Sequence, residues 1–395
     1  VSLLSVAEAQ ARLLALASPL DIEHAPLVAA LGRWAAADIR ALRTQPAADL
    51  SAMDGYAIRF AEMPGPWRVT GESAAGAHSG LTLAPGDAAR IFTGAPVPVG
   101  ADVILIQEEA ARDGDQLRLA GEGPPCPGAH IRRAGNDFTA GTTLIPAGAR
   151  IGPAQIALAA TGGHGALPVR RQPRVALIST GDELVPPGAP TSGVRLPSSN
   201  APMLHALITA EVPAIIDDRG IVPDDLAATV AAFTAARDAN IIVTTGGASV
   251  GDRDFVRPAL EAAGASLDFW RVALKPGKPL MAGRLGNAIV LGLPGNPVSA
   301  YVTARLFLVP LLRHLGGSTR LFDQRRAIRL AGTIPATGKR MEFLRGYRAG
   351  ARVRALTGQD SAALAALSRA DALIVRPPFS AAANNGDIVE ILTIA

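Results

Sequence analysis

The 395-residue chain reads as a multidomain α/β protein. A central domain with a doubly wound parallel sheet is joined to a discontinuous N-terminal domain, which an inserted β-rich domain interrupts, and to a small C-terminal β-barrel. Three observations predict this. The chain is longer than the roughly 250–300 residues over which one core keeps growing. From Arg174 onward, strand-like and helix-like segments alternate, which is the pattern of βαβ units. Elsewhere the texture turns to short strands punctuated by Gly and Pro.

Taken in order, residues 1–43 carry the helical patterns "AEAQARLLALA" and "LVAALGRWAAADI". Ser5 and Glu8 stand at capping-box spacing before the first. Residues 44–134 hold the strand-like runs "PWRVTGE", "AARIFTG", "ADVILIQEE" and "DQLRLAG". Helical character returns in "GPAQIALAATGG", so residues 1–43 and 135–168 are assigned to one domain with 44–134 inserted. Residues 169–318 form the central domain. Its strands are "RVALIST", "VPAIIDD", "NIIVTTGG" and "NAIVLGLPG"; its helices are "APMLHALITAE", "DDLAATVAAFTAARDA", "DFVRPALEAAG" and "PVSAYVTARLFLVPLLRHLGG". Residues 319–395, with "RRAIRLAG", "EFLRGYRAG", "DALIVRPP" and "DIVEILTI", read as the small barrel.

Composition narrows the function classes. Hydrophobic residues at 49% and charged residues at 18% describe a packed globular protein. A net charge of +4, without a Lys/Arg run, argues against nucleic-acid binding. The single cysteine, Cys126, excludes an intramolecular disulfide and a Cys-rich zinc site, and the six scattered histidines lack zinc-helix spacing. No apolar run reaches membrane-spanning length, and the opening residues lack a basic leader, so a cytoplasmic protein without a membrane partner is expected.

In parallel α/β sheets, ligands bind outside the carboxyl ends of the strands. Three loops fall there: "STGDEL", "TTGGASVGDRDF" and "LPGNPVS". The first offers Thr180, Gly181, Asp182 and Glu183, either to a polar ligand or as an ordinary turn. The second offers Thr245, Gly246, Gly247, Ser249 and Gly251, whose backbone N–H groups can approach a phosphate closely. It contains no Lys or Arg before Arg253, and it carries Asp252 and Asp254. Two carboxylates beside a phosphate loop are compatible if Mg²⁺ sits between them. Capping of the next helix is the other reading. In the third loop, Pro294, Gly295, Asn296 and Pro297 resemble an N-cap followed by Pro at the first helical position, and could also form a pocket wall. "LKPGKPL" holds Lys275 and Lys278 in a Pro-stiffened turn suited to an oxyanion or to the surface. "LSAMDGYAI" carries Asp54, "IFTGAPVP" carries Thr93, and "IRRAGNDFTAG" carries Asp137; each alone is more often a turn than a site.

Together, "SAMDGYA", "FTGAPVP", "STGDEL", "TTGGASVGD", "KPGKP" and "LPGNPVS" resemble, in order and along the whole chain, the molybdopterin molybdenumtransferases of the MoeA family. That family includes a homologous region of the animal scaffold protein gephyrin. The resemblance implies a homodimer with active sites between subunits, in which molybdate is inserted into adenylylated molybdopterin with Mg²⁺-dependent release of AMP. It implies catalytic roles for Asp54, Thr93, Asp137, Glu183, Lys275 and Lys278, a site role for Asp254, which the spacing sets beside Asp252 as a metal ligand, and ligand contacts by Arg345 and Ser361 of "EFLRG" and "TGQDS". Transient contacts with the upstream adenylyltransferase and with apo-molybdoenzymes are also implied. Two positions depart from the pattern. Asn136 stands where a second acid is expected beside Asp137, and Ala248 replaces a commoner Val. A noncatalytic pterin carrier is the rival reading, and a tungstate-preferring enzyme shares every motif.

Overall fold

The computed structural model describes residues 3–76, 80–246 and 255–394. Helix Val6–Ala15 opens the chain, with the Ser5 hydroxyl accepting from the Glu8 N–H at 3.1 Å. Only half of the expected capping box forms, because the Glu8 carboxylate turns to Arg12 at 2.9 Å, one turn ahead. Val6, Ala9 and Leu13 share one helical face and are buried. Although residues 1–43 read as N-terminal domain, this face packs into the core of the central domain beside Leu308 and Leu312.

The predicted helix "LVAALGRWAAADI" is overturned. Only Leu27–Ala30 turns, as a short 3₁₀ segment, followed by isolated bridges from Trp34 to Arg150 and from Ala35 to Val169. Alanine propensity is outweighed by Gly32 at φ +77°, which breaks the helix, and by the strand pairing that takes up the following backbone. Strands Ile22–Pro26 and Ala166–Arg170 pair antiparallel. Together with helix Pro153–Thr161 and the pair Ile39–Arg40 with Thr143–Ile145, they enclose Ala25, Ile39, Ile145, Ile151, Ala159 and Val169.

The inserted region is one six-stranded sheet, in the order Val103–Ile106, Gly55–Ile58, Asp87–Ile91, Trp67–Ser73, Gln116–Leu119, Ala110–Asp113. Its two faces bury separate clusters, one around Trp67 and Leu117, the other around Leu83 and Ile104. The chain enters through Leu50–Ser51 and leaves through Ile131–Arg132, and these two segments pair antiparallel.

The central sheet runs Ile215–Val222, Arg174–Thr180, Ile241–Thr245, Ala288–Leu293, Pro279–Leu285, Ser266–Arg271. The first four are parallel; the last two join antiparallel, an edge hairpin that the sequence reading omitted. Alternation along Arg174–Thr180 shows why helices cover both faces. Val175 and Leu177 face the core that holds Leu204 and Val302, whereas Ala176 and Ile178 face Phe233 and Leu260. The long helix expected after "LPGNP" is three pieces: helix Pro297–Thr303, a π turn Ala304–Leu308, and helix Val309–Leu315. Pro310 lacks an N–H and would clash within a continuous α-helix, and the wider π turn accommodates it.

The C-terminal barrel closes. Met341–Ala349, Arg352–Ala355, Arg326–Leu330, Ile388–Thr393 and Ala372–Arg376 pair in sequence, and the last returns to the first. Its filling includes Leu330, Val353, Ile374, Val389 and Ile391. No described helix is long and apolar enough to cross a membrane.

Four charges tie the barrel to the central domain. Arg305 and Arg313 each pair with both Glu211 and Asp323, with Arg305 Nε–Asp323 Oδ2 at 2.7 Å and Arg313 Nη2–Glu211 Oε2 at 2.7 Å. All four side chains are only 10–17% exposed, so removing one partner strands buried charge. Glu211→Ala is therefore expected to destabilise the protein by about 3 kcal/mol, read as a lowered transition in thermal unfolding. An unchanged transition would mean that the network contributes nothing.

Candidate active site

The strand-end loops converge because their strands are neighbours in register. Ser179 lies opposite Thr245, and Thr245 opposite Leu293, so three carboxyl ends finish at one level. Their backbones then touch. At Gly246, φ is +91° and a Cβ would fall 2.4 Å from the Thr180 carbonyl oxygen, so no larger residue fits. At Gly295 a Cβ would lie 3.5 Å from the Gly246 Cα, and the Asn200 amide donates to the Gly295 carbonyl at 2.7 Å. The sequence reading missed Asn200. Its Oδ1 is buried without a partner among the described residues. Its local sequence marked it only as the start of a helix.

Glu183 and Asp182 part company. The Glu183 carboxylate folds back over Gly181, 2.6 Å from where a Cβ would stand. It has no side-chain hydrogen-bond partner among the described residues. Asp182 instead braces the loop, exchanging hydrogen bonds with Asp224: Asp224 N–H to Asp182 Oδ1 at 3.1 Å, and Asp182 N–H to Asp224 Oδ2 at 3.4 Å. Gly247, Ser249, Gly251, Asp252 and Asp254 lie outside the described residues.

The barrel completes one wall. Asn296 Nδ2 donates to Ser361 Oγ at 2.9 Å, and the Val298 N–H donates to the Ser361 carbonyl at 3.0 Å. Ser361 is held in turn by Arg345, which is fully buried. Arg345 Nη2 donates to the carbonyls of Gly358 at 2.8 Å and Asp360 at 3.0 Å, while Gln359 bridges back to the Arg345 backbone. Burial pulls the guanidinium below its ordinary pKa, and Asp360 works against that. Arg345 therefore braces the 358–361 loop; its Nε and Nη1 atoms have no partner among the described residues.

The "KPGKP" turn packs on helix Pro297–Thr303, the helix that "LPGNP" begins. A Cβ at Gly277 would fall 2.5 Å from Thr303 Cγ2. Lys275 reaches the barrel, donating to Glu342 Oε1 at 3.1 Å, and strand Leu274–Lys275 pairs in parallel with Met341–Glu342. Lys278 is exposed.

Asp54 and Thr93 form a second group. The Thr93 N–H and hydroxyl both donate to Asp54 Oδ1, at 2.7 and 2.9 Å. Arg90, which sequence reasoning passed over, holds this corner. It donates to the Gly55 carbonyl at 3.1 Å and to Gln107 at 2.8 Å, and stacks over Tyr56 and Phe92. Gly55 leaves no room for a side chain, since a Cβ would lie 2.0 Å from the Leu105 carbonyl oxygen. Asp137 is exposed where the Gln45 carbonyl accepts its N–H at 3.1 Å. No hydrogen bond or ion pair among the described residues links Asp54, Thr93 or Asp137 to the strand-end loops of the same chain.

A magnesium ion needs only one or two protein carboxylates and keeps several waters. No group of three or more His, Cys, Asp or Glu forms a metal cage among the described residues. The Glu183 carboxylate does supply a hard oxygen donor at the strand ends, which suits a hydrated divalent cation.

Comparison with known proteins gives one answer along the chain. Residues 4–163 match the MoeA N-terminal region (domain I and II), 176–314 a probable molybdopterin binding domain, and 327–394 the MoeA C-terminal region (domain IV). The molybdopterin molybdenumtransferase of Haemophilus influenzae is 36% identical over 334 residues, 83% of this chain and 82% of that one. That of Bacillus subtilis is 32% identical over 389 residues, 95% of this chain and 90% of that one. A crystal structure of the molybdopterin biosynthesis MoeA protein from Pyrococcus horikoshii OT3 superposes with a TM-score of 0.83 at 26% identity, covering 100% of both chains.

Hydrogen bonds from Thr93, backbone first and hydroxyl second, hold the Asp54 carboxyl below its ordinary pKa of 3.8; slight desolvation opposes them and the Arg90 charge adds to them. A depressed carboxyl favours the folded state above the ordinary value, and that contribution is lost as pH falls through the lowered value. Thr93→Val removes the hydroxyl alone. In this variant the Asp54 titration, followed by carboxyl-carbon NMR, is expected to move up toward 3.8; an unmoved titration would dismiss the hydroxyl as a contributor.

Proposed function

The chain belongs to the MoeA family of molybdopterin molybdenumtransferases, enzymes of molybdenum cofactor biosynthesis, and from that premise we propose how it works. Its substrate is adenylylated molybdopterin, into which molybdate is inserted as AMP leaves in a Mg²⁺-dependent step. The observation that carries this reading is the meeting of three strand ends through backbone contacts at Gly246 and Gly295. Such a floor lets a phosphate approach peptide backbone closely.

In this reading the backbone of Thr180, Gly181, Thr245 and Gly246 cradles the diphosphate, and Pro294, Gly295, Asn296 and Pro297 wall the pterin side. Lys275 and Lys278 draw in the oxyanions and offset charge on the phosphates. Glu183, with Asp252 and Asp254, would hold Mg²⁺, which when bound neutralises the phosphoryl oxygens as a Lewis acid. Water attacks one phosphorus of the anhydride and the bridging P–O bond to it breaks; the attacked phosphate gains the water oxygen, the other leaves with the bridging oxygen, and the protons of water pass to solvent. The sulfur ligands of molybdenum belong to the substrate, so a chain with one cysteine is sufficient.

Asp54, Thr93 and Asp137 serve a site made with a second subunit. Two features support this: they make no bond to the strand-end loops of their own chain among the described residues, and the N-terminal lobe exposes Val28 (80%), Leu31 (48%) and Leu42 (66%). Ionised Asp54 then orients the incoming oxyanion's water or metal partner across that boundary.

The direct test supplies adenylylated molybdopterin, Mg²⁺ and molybdate, then follows AMP release and transfer of the product to an apo-molybdoenzyme. A folded protein that binds the pterin but releases no AMP on adding molybdate would favour a noncatalytic carrier. Tungstate competed against molybdate in the same assay reveals oxyanion preference. Asp54→Asn and Lys275→Ala/Lys278→Ala are each expected to lower insertion at least about 100-fold. Co-expressed, the two variants would regain about a quarter of wild-type activity if sites are shared between subunits, since half the dimers then carry one intact site. No recovery would refute the shared site.

A further inference from the structure

Away from the strand-end loops, a cleft of about 670 Å³ opens where the N-terminal lobe meets the start of the barrel. Its walls are the 146–150 turn, the 318–326 connection and the end of strand Ile388–Thr393. The two halves are in contact at the floor: a Cβ at Gly148 would fall 2.3 Å from Thr319 Cγ2, and Trp34 packs beneath against Gly316.

We propose that this cleft is a second binding site, for a phosphorylated small molecule that carries a planar ring. Charge is the first ground. Arg150, Arg320 and Arg326 all line the cleft, and none has an acidic partner among the described residues. Asp323 is the acid in the lining, and both its oxygens are already taken, one by Arg305 and one by Arg313. The cleft therefore presents three uncompensated guanidiniums, groups that fit phosphate oxygens in pairs.

Shape and surface are the second ground. The volume lies within the 300–1,000 Å³ typical of small-molecule pockets and far exceeds what a bare phosphate fills. Phe322, 46% exposed, offers an aromatic face, and Arg150 is itself held over the Trp34 ring at 5.9 Å while donating to the Gly32 carbonyl at 3.2 Å. An exposed ring beside fixed cations suits a stacked planar group. None of these residues belongs to the strand-end loops, so the inference stands apart from the proposed reaction.

The test is calorimetry on the full chain at low salt, with AMP and pyrophosphate as probes, in Lys275→Ala/Lys278→Ala protein so that the strand-end lysines contribute nothing. Both probes are expected to bind. Adding Arg320→Ala/Arg326→Ala should weaken both at least about tenfold, and adding Phe322→Ala should weaken AMP while sparing pyrophosphate. If neither probe binds the lysine variant, or if the arginine variant binds both as its parent does, the site is refuted. Should the double arginine variant melt early, Arg150→Gln in the same background carries the same reading, with unaltered binding again counting against the site.

Discussion

The buried guanidinium of Arg345 is the interaction on which the shape of the active site turns. It lies within the barrel yet fixes the carbonyls of Gly358 and Asp360, and so delivers Ser361 to Asn296 in another domain. A charge with no exposed surface is costly unless neighbouring dipoles solvate it. Here the dipoles are those of the loop itself, so the loop must keep one conformation for the charge to remain tolerable. The Glu211–Arg305–Arg313–Asp323 network is a second tie between the barrel end of the chain and the central domain. A site wall built from two domains is thereby as fixed as one built from a single strand end.

The glycines work in a complementary way. Gly246 is required twice over, by its φ of +91° and by the Thr180 carbonyl oxygen that has already arrived 2.4 Å from where its Cβ would stand, and Gly295 lies in ordinary contact beside it. Bringing three chain segments that close leaves peptide groups and short polar side chains, such as the Thr180 hydroxyl and the Asn200 amide, at the floor. At the rim, the Glu183 and Lys278 side chains are exposed.

Much of this was legible in the sequence, for identifiable physical reasons. Strand "RVALIST" and the glycine-bearing turns are local features, and the parallel order follows from the alternation of strands and helices. What escaped depended on distant partners. "LVAALGRWAAADI" has the composition of a helix, but its backbone is claimed by residues more than a hundred positions away, such as Ile151 bonded to Gly32. Strand Ser266–Arg271 at the sheet edge and its neighbour Pro279–Leu285 are runs that no periodicity separates from loop. The resemblance of "EFLRG" marks Arg345 for a ligand, and its full burial adds what no local pattern shows, that it braces the 358–361 loop. Similarly, nothing local in "TGDE" distinguishes the bracing Asp182 from the unengaged Glu183.

The paired entry and exit of the inserted sheet carries a mechanical consequence. Leu50–Ser51 and Ile131–Arg132 hydrogen-bond to each other, so the inserted unit hangs from a two-stranded ribbon rather than from two independent tethers. Asp54 follows the first strand of that ribbon by three residues, and Thr93 precedes Gly94, whose N–H donates to the Ser51 carbonyl at 2.9 Å, so the Asp54–Thr93 pair is anchored at the ribbon itself. Evolution can also lengthen, shorten or replace everything between the two strands while the zipped stem keeps the outgoing chain where the rest of the protein needs it.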